Sequence, residues 1–298
     1  MKIIITGSLG NISKPLTKEL VNKGNNVTVI SSNPDKQKDI EALGAKAAIG
    51  SLEDVKFLTA AFAGADAVYT MVPPNDIFNH DIDIMAYYIR IGNKYEQAIR
   101  QSGVKRMVHL SSIGAHLDKG TGIILAHHAV EGILNSLSDV AITFMRPTAF
   151  YYNLFAFAGG IKAMGMMASN YGAEDSIVWV SPIDIAEAIA EEIITPLVGR
   201  KVRYVASEEL TCNEVAHILG SVIGKPDLKW VVISNEQMQN GLEAFGMSKQ
   251  FAGGLVEMNS KMHRGGFFDD YYLNKPEVLG KVKMTDFAKD FAAAYFKT

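Results

Sequence analysis

A turn near the amino terminus carries the strongest chemical signal in the sequence. It contains Gly7 and Gly10 and lies between a β-branched run, Lys2–Thr6, and an amphipathic stretch over residues 11–22. Gly7 permits a tight turn, Gly10 lets a ligand approach the backbone closely, and a helix that begins there directs its free N–H groups at an anion. This order of strand, turn and helix predicts a binding site for the pyrophosphate of a dinucleotide, the alternative being a turn without a ligand. The residues expected to form the site are Thr6, Gly7, Leu9, Gly10, Asn11 and Ile12.

The turn after the second predicted strand bears on which dinucleotide binds. Proteins that bind NAD usually carry Asp or Glu there, and those that bind NADP carry Arg. This sequence has Ser31-Ser32-Asn33 instead, with Lys36 one turn later. Hydroxyl and amide groups can donate to a 2′-phosphate, and Lys36 would add positive charge. We therefore expect NADP as the cofactor, with NAD possible; the alternative is a solvated turn that is indifferent to the phosphate.

Two serines, a histidine and a glutamate have the chemistry to act on a bound substrate. Ser111 and Ser112 follow the fifth predicted strand, where a hydroxyl can bond a substrate oxygen, and Ser111 is also expected beside the cofactor. His127 lies on the inward stripe of the next helix and is a candidate proton donor. Glu131 follows one turn later, within reach to orient His127. The alternative is a His–Glu contact with a structural role only. Because the pattern offers no third ligand, we expect no metal.

Alternating strands and helices must position these residues. Over the first 150 residues, short Val- and Ile-rich runs alternate with longer amphipathic stretches, which is typical of a parallel sheet covered on both faces. The predicted strands are Lys2–Thr6, Asn26–Ile30, Ala45–Ile49, Ala67–Met71, Lys105–Ser111 and Ala141–Arg146, and the predicted helices cover residues 11–22, 34–43, 53–62, 78–102 and 122–137. The predicted fold is therefore α/β, a doubly wound parallel Rossmann-type sheet with a smaller C-terminal substrate lobe.

The composition changes near residue 150, where glycine, methionine and aromatic residues become dense. We expect a dinucleotide-binding domain over residues 1–150 and a lobe for a substrate or partner over residues 151–298. Within the second part, the pattern predicts helices over Ser181–Ile194 and Thr211–Ile223 and a strand over Arg203–Ala206. Residues 181–206 either belong to this lobe or pack back on the first domain.

Two further segments are expected at the cofactor cleft. Pro73-Pro74 ends the fourth predicted strand and is expected to line the cofactor cleft, or only to stop the strand; Val72 and Pro73 are the residues expected to contact the cofactor. The aromatic run Phe150–Phe157 follows the sixth strand, at the sheet edge where ligands bind in open α/β folds. It is expected either to contact a flat substrate or to fill the core.

Composition excludes several classes of protein. The 298 residues contain 29 Lys and Arg against 32 Asp and Glu, a net charge of −3, which argues against direct binding to nucleic acid. Cys212 is the single cysteine, so an internal disulfide framework and a cysteine-based metal cluster are excluded. The apolar run at the amino terminus is too short for a signal peptide, and no clean run of about 20 apolar residues is present. We expect a cytoplasmic protein without a membrane segment.

A set of ordered motifs points to a known family. They are Thr6-Gly7-x-x-Gly10, Asn33-Pro34-x-Lys36, Val72-Pro73-Pro74, His109-Leu110-Ser111-Ser112, His127-x-x-x-Glu131, Arg146-Pro147-Thr148 and Asp184-Ile185-Ala186. With these the chain resembles the NmrA-like family of atypical short-chain dehydrogenases/reductases over most of its length. The resemblance implies a Rossmann-type sheet with a small substrate lobe. It implies either an NADPH-dependent reductase of quinones and aromatic compounds or a dinucleotide-binding regulator. The family often has Arg at Ser32 and Asp at Ser51, and this chain departs from both.

The helix that carries Tyr-x-x-x-Lys in typical short-chain reductases has His127-His128-Ala129-Val130-Glu131 in this chain. In those enzymes the lysine lowers the pKa of the tyrosine, and a glutamate would have the opposite effect. Reduction of simple carbonyls is therefore disfavoured. A quinone needs a weaker proton donor, because its developing charge is delocalised. We expect an NAD(P)H-dependent oxidoreductase that acts on a small, flat, apolar or aromatic substrate. The alternative is a non-catalytic NAD(P)-sensing regulator that acts through a protein partner.

Overall fold

The computed structural model of the protein describes residues 1–297. Its strands are β1 (Lys2–Ile5), β2 (Asn26–Ser31), β3 (Lys46–Ile49), β4 (Ala67–Thr70), β5 (Arg106–Leu110), β6 (Ala141–Pro147), β7 (Ala149–Phe150), β8 (Met167–Ser169), β9 (Ser176–Val180), β10 (Arg200–Val205), β11 (Glu208–Thr211) and β12 (Trp230–Val232). Its α-helices are α1 (Ser13–Asn22), α2 (Gln37–Glu41), α3 (Val55–Phe62), α4 (Ile84–Ser102), α5 (Leu125–Leu134), α6 (Ala158–Met164), α7 (Pro182–Ile194), α8 (Cys212–Val222), α9 (Asn235–Ala244), α10 (Lys249–Arg264), α11 (Asp269–Leu273) and α12 (Met284–Lys297). Short 3₁₀ turns cover Pro34–Lys36, Gly122–Ile124 and Tyr151–Phe157.

A seven-stranded sheet forms the centre of the first domain. Its order is β10-β6-β5-β4-β1-β2-β3, and all of its neighbouring strands are parallel. One face packs against α1 and α7, through residues such as Leu16 and Ile189, and the other against α3, α4 and α5, through residues such as Leu58, Tyr95 and Val130. Strands buried on both faces explain the continuous Val and Ile runs. The predicted doubly wound Rossmann-type fold is confirmed.

The six strands predicted for the first 150 residues all form, and the largest difference concerns α4. This helix begins at Ile84 instead of residue 78, because the carboxylate of Asp83 caps it by accepting from Ala86 N at 3.0 Å. Residues 71–83 therefore form a loop that follows β4 at the carboxyl edge of the sheet. The predicted helix over residues 122–137 likewise divides into a 3₁₀ turn and α5.

The chain returns to the large sheet after it has started the second lobe. Ser181 caps α7, its hydroxyl accepting from Ile183 N at 3.2 Å, and Pro182 occupies the first turn. Helix α7 then packs on α1, and β10 pairs in parallel with β6 from Arg200 to Val205. This segment lies with the dinucleotide-type domain although it follows part of the second lobe in the chain.

The second lobe has its own core beside the carboxyl edge of the sheet. It contains the strand group β11-β9-β7, the pair β12-β8 and helices α6 and α8 to α12. Buried aromatic side chains dominate its interior, among them Tyr151, Trp179, Tyr271 and Phe291. Within residues 1–297 no helix combines the length and the hydrophobicity that a membrane crossing requires.

Candidate functional site

A cavity of about 1300 Å³ opens where the carboxyl edge of the large sheet meets the second lobe. Residues that follow β1, β2, β4 and β5 line one end of it, among them Gly7, Ser32, Val72 and Ser111. The β1–β4 junction is where the strand order reverses, which is the usual ligand crevice of open α/β sheets. The fold therefore brings the predicted motifs to a single cavity.

The turn after β1 has the geometry that a phosphate loop requires. Gly7 has a φ of +88°, and a Cβ atom there would lie 2.7 Å from the Ser13 hydroxyl oxygen. That hydroxyl donates to the carbonyl oxygen of Thr6 at 2.9 Å and so ties α1 to β1. At Gly10 a Cβ would approach one atom only, the carbonyl oxygen of Gly7 at 3.2 Å. Gly7 is thus required by the fold, whereas Gly10 leaves space open on the cavity wall.

The start of α1 also suits an anion. Its N-cap residue is Ile12, and within the described chain no side chain caps it and its first turn holds no acidic residue. Lys14 N donates to the carbonyl oxygen of Gly10 at 3.0 Å and Pro15 has no N–H, so this end of the helix offers an anion the N–H groups of residues 11–13 and the positive end of the helix dipole. A glycine-lined turn and an uncapped helix start on one cavity wall fit the pyrophosphate of a dinucleotide.

Most of the predicted cofactor residues line the cavity, but four do not. Those on its wall are Gly7, Gly10, Asn11, Ile12, Ser31, Ser32, Val72, Pro73 and Ser111. Thr6 instead accepts from Met71 N at 3.1 Å, and Leu9 packs against the core beside α1. Asn33 caps the 3₁₀ turn by accepting from Asp35 N at 2.9 Å. Lys36 forms an ion pair with Asp39 at 3.5 Å and is absent from the described wall; that it supplies charge to the cofactor stays a prediction.

The wall at the end of β2 is nearly free of charge. The Ser31 hydroxyl accepts from the Ser8 hydroxyl at 2.9 Å and donates to the carbonyl oxygen of Asn33 at 3.2 Å, so it is occupied within the loop. Ser32 is exposed and lines the cavity. Among the described residues the wall contains no lysine or arginine, and its one carboxylate, Glu53, is paired with Arg90 at 3.0 Å. A 2′-phosphate at this end would be held by hydroxyl and backbone groups.

Glu131 has a different partner from the one expected. Its carboxylate accepts from the Ser111 hydroxyl at 2.5 Å and from two nitrogens of Arg146, Nε at 3.0 Å and Nη2 at 2.7 Å. Arg146 and Glu131 are both buried. The expectation that Glu131 orients His127 is therefore wrong, because its carboxylate binds Ser111 and Arg146 instead. The motif Arg146-Pro147-Thr148 does not reveal this pairing, because a contact between α5 and β6 has no signature in residue spacing.

His127 lines the cavity as a neutral imidazole. Its ring lies edge-on to Tyr88, with 5.1 Å between the centroids, and within the described residues its Nδ1 has no hydrogen-bond partner. Burial lowers the pKa of His127 to about 4. Protonated imidazole is therefore scarce at neutral pH, so the expected proton donor is at most a neutral N–H donor.

The far end of the cavity is lined by aromatic and methionine side chains. From the first lobe come Tyr87 and Tyr88, and from the predicted aromatic run come Phe150, Tyr152 and Phe157. The second lobe adds residues to which the sequence analysis gave no role; they are Trp179, Met238, Met247, Phe251, Leu255, Met258, Met262, Phe267 and Phe268. Such a wall suits a flat, apolar molecule. Helix amphipathicity could have marked α10 as half-buried, although not the cavity that it covers.

No metal centre accompanies this cavity in the part of the chain that the structure describes. Residues 1–297 contain no group of three or more His, Cys, Asp or Glu side chains that could hold an ion. His109 lies on β5 and is completely buried, with Nδ1 2.8 Å from the Thr70 hydroxyl oxygen.

Comparison with known proteins agrees with this geometry. The NAD(P)H azoreductase of Xenophilus azovorans is 26% identical over 302 residues, which cover 98% of this chain and 99% of that protein. An NADPH-dependent quinone oxidoreductase from Escherichia coli, solved with NADPH, superposes with a TM-score of 0.80 at 20% identity, covering 97% of this chain and 99% of that one. The triphenylmethane reductase of Citrobacter sp., solved with NADP(H), superposes with a TM-score of 0.77 at 20% identity and the same coverage.

The family model described as NAD(P)H-binding matches residues 7–196, which hold the glycine turn, Ser111, Glu131, Arg146 and the returning helix α7. The match spans more than half of the chain, and it agrees with the motifs that resemble the NmrA-like reductases. The chain belongs to the NAD(P)H-binding family.

Proposed function

We propose that this protein is an NAD(P)H-dependent reductase that passes a hydride to a flat, apolar acceptor such as a quinone. The observation that carries the proposal is the single cavity, which has the glycine turn at one end and the aromatic and methionine wall at the other. Relatives described as an azoreductase, a quinone oxidoreductase and a triphenylmethane reductase support it. Their names refer to azo, quinone and triphenylmethane acceptors.

The residues of the glycine turn would hold the dinucleotide. Gly7, Gly10, Asn11 and Ile12 would bind its pyrophosphate through backbone groups, and Ser32 would meet the adenosine ribose or its phosphate. Because the cavity wall carries hydroxyl groups and no cation there, we expect both NADPH and NADH to bind. When bound, the reduced nicotinamide supplies the hydride.

The acceptor would lie between the strand ends and the second lobe. Val72, Pro73 and Ser111 would contact the redox-active end of the cofactor, and Ser112 and neutral His127 are the candidate donors to an acceptor oxygen. A delocalised quinone oxygen needs only neutral donors, since its charge spreads over the ring and water can later supply the proton. The aromatic wall would stack on the acceptor and exclude water from the reacting atoms.

Steady-state oxidation of NADPH and of NADH, followed at 340 nm with a panel of quinones and an azo dye, tests the proposal. We expect turnover well above the rate without enzyme, and little turnover with simple ketones. Gly10→Val should weaken cofactor binding at least 10-fold and lower turnover with it. Dinucleotide binding without turnover of any acceptor, together with a stoichiometric protein partner, would contradict the reductase and favour the NAD(P)-sensing regulator.

A further inference from the structure

The hydroxyl group of Ser111 has a fixed direction of hydrogen bonding. A serine hydroxyl has one proton, and Ser111 donates it to Oε1 of Glu131 at 2.5 Å. An ionised carboxylate can only accept, so this bond cannot reverse. Any bond that Ser111 makes to a molecule in the cavity must then be one in which the serine oxygen accepts.

Arg146 holds the Glu131 carboxylate in place beside Ser111. Its guanidinium holds both oxygens of the carboxylate, with Nε at 3.0 Å from Oε1 and Nη2 at 2.7 Å from Oε2. Burial by itself would lower the pKa of Arg146, but the hydrogen bonds and the charge of Glu131 outweigh it and raise the pKa. Arginine stays charged under all ordinary conditions, and the buried pair is therefore a permanent salt bridge.

The other side of Arg146 is anchored in the second lobe. Its Nη1 lies 3.2 Å from a carboxylate oxygen of Asp270, at the start of α11, and 3.3 Å from the hydroxyl oxygen of Tyr204 on β10. Tyr204 in turn donates to Asp270. These contacts fix the guanidinium on three sides, so neither Arg146 nor Glu131 can turn away to release the proton of Ser111.

We propose that the Glu131–Arg146 pair makes Ser111 an obligate hydrogen-bond acceptor, which selects a ligand group that carries an O–H or N–H. The inference rests on the proposed function, since it takes the cavity to hold a dinucleotide and an aromatic acceptor. Glu131 and Arg146 are then positioning residues that act through Ser111. The neighbouring Ser112, which also lines the cavity, has no part in this selection.

The donor group has two candidate sources, and binding measurements distinguish them. The first source is the dinucleotide, whose carboxamide carries an N–H. It is tested by comparing the dissociation constants of the oxidised cofactor and of its 3-acetylpyridine analogue, which has a methyl group in place of the amide NH₂. The second source is the aromatic ligand, which is tested by comparing the dissociation constants of 2-naphthol and 2-methylnaphthalene in protein saturated with oxidised cofactor. Each pair gives a ratio of dissociation constants in the full chain without any turnover.

Ser111→Ala is the decisive variant. We expect this variant to lower the preference for the donor-bearing ligand over its analogue by roughly 3- to 10-fold in one of the two pairs, because one hydrogen bond is lost. Ser112→Ala removes the adjacent hydroxyl, a candidate donor to the acceptor oxygen, and should leave the ratio for the dinucleotide pair at its wild-type value. The inference would be overturned if both ratios stayed unchanged in Ser111→Ala, or if the dinucleotide ratio changed as much in Ser112→Ala.

The role of the ion pair is tested by removing both partners together. Glu131→Leu with Arg146→Met replaces the buried pair by apolar side chains, an exchange that buried pairs often tolerate. It frees the proton of Ser111, and we expect the preference for donor groups to fall as in Ser111→Ala. A preference kept at its wild-type value in the double variant would contradict the positioning role. If the protein binds the dinucleotide but reduces no acceptor, the proposed function is contradicted. The ratios of dissociation constants still test the inference, because they are measured without turnover.

Discussion

At the scale of single residues, burial decides the charge of the histidines near the cavity. His109 is completely buried on β5, and within the described residues its Nε2 has no hydrogen-bond partner. Burial, and secondly the neighbouring His127, lower the pKa of His109 to about 3. A protonated His109 would place an uncompensated charge in the sheet, so the folded protein keeps this ring neutral.

This shift predicts that acid weakens the fold. The ordinary pKa of histidine is 6.5, so the unfolded chain binds a proton below that pH while the folded chain does not until about pH 3. The free energy of unfolding is therefore highest above pH 6.5 and falls below it, by about 2 kcal/mol from this residue at pH 5. Urea unfolding at pH 5, 6 and 7 would measure the effect. His109→Gln should have a flatter profile over this range, and an equal slope in both proteins would exclude His109 as the cause.

At the same scale, we expect Ser32 to set the preference between NADPH and NADH. It is exposed on the cavity wall, and no described lysine or arginine accompanies it there. Ser32→Arg would provide a charge-assisted bond to a 2′-phosphate, so we expect the preference for NADPH over NADH to rise roughly 10-fold. Calorimetric titration with both cofactors measures this ratio. Ser32→Gln, a polar change without charge, is the control; a similar rise in that variant would remove charge as the explanation.

At the scale of elements, the turn between β1 and α1 combines two glycines with different requirements. Gly7 adopts a left-handed φ, and a Cβ there would lie only 2.7 Å from the Ser13 hydroxyl oxygen, so any side chain would displace Ser13. Gly10 has no such φ and approaches only the carbonyl oxygen of Gly7. The fold therefore depends on the first glycine, and we expect access of the phosphate to depend on the second.

The two glycines should respond differently to substitution. We expect Gly7→Ala to lower the free energy of unfolding by about 1–3 kcal/mol, because it combines strain with a clash. Gly10→Val should change it by less than about 1 kcal/mol and yet weaken dinucleotide binding at least 10-fold, since its side chain lies where the phosphate must approach. Thermal unfolding and calorimetric titration of both variants test the distinction. Wild-type affinity in Gly10→Val would refute the assignment of the phosphate loop.

At the scale of the whole molecule, the cavity depends on close contact between its two lobes. Helix α10 packs against the 3₁₀ turn Gly122–Ile124, where a Cβ on Gly254 would lie 2.8 Å from Cγ2 of Ile123 and 3.2 Å from its backbone N. The same helix carries Phe251, Leu255 and Met258 on the cavity wall. The distance between this wall and the strand ends therefore depends on the absence of a side chain at Gly254.

Adjacent glycines on α10 provide a matched test of this contact. Gly253 has no atom within 4 Å of its would-be Cβ, so Gly253→Ala should stabilise the helix by up to about 1 kcal/mol. Gly254→Ala should instead displace α10, and we expect weaker binding of an aromatic acceptor, about 3-fold or more, with cofactor affinity nearly unchanged. Titration of a quinone into both variants distinguishes them. Equal acceptor affinity in the two variants would show that α10 does not define the acceptor site.

The sequence by itself determined the local features of this protein. Strand and helix periodicity, the glycine turn after β1, the Ser181 cap and the position of Ser111 and Ser112 all follow from residues that are neighbours in the chain. Each depends on backbone conformation or on burial of one face, and neighbouring residues encode both. The α/β class and the cofactor edge of the sheet were therefore predictable.

The tertiary structure decided which side chains act on one another. Glu131 and Arg146 lie 15 positions apart, on α5 and β6, and no spacing rule connects them; their pairing determines what Ser111 can bind. The low pKa of His127 likewise arises from burial by distant segments. Charge and hydrogen-bond direction depend on distances of a few ångströms, and only the packing of the two lobes sets those distances.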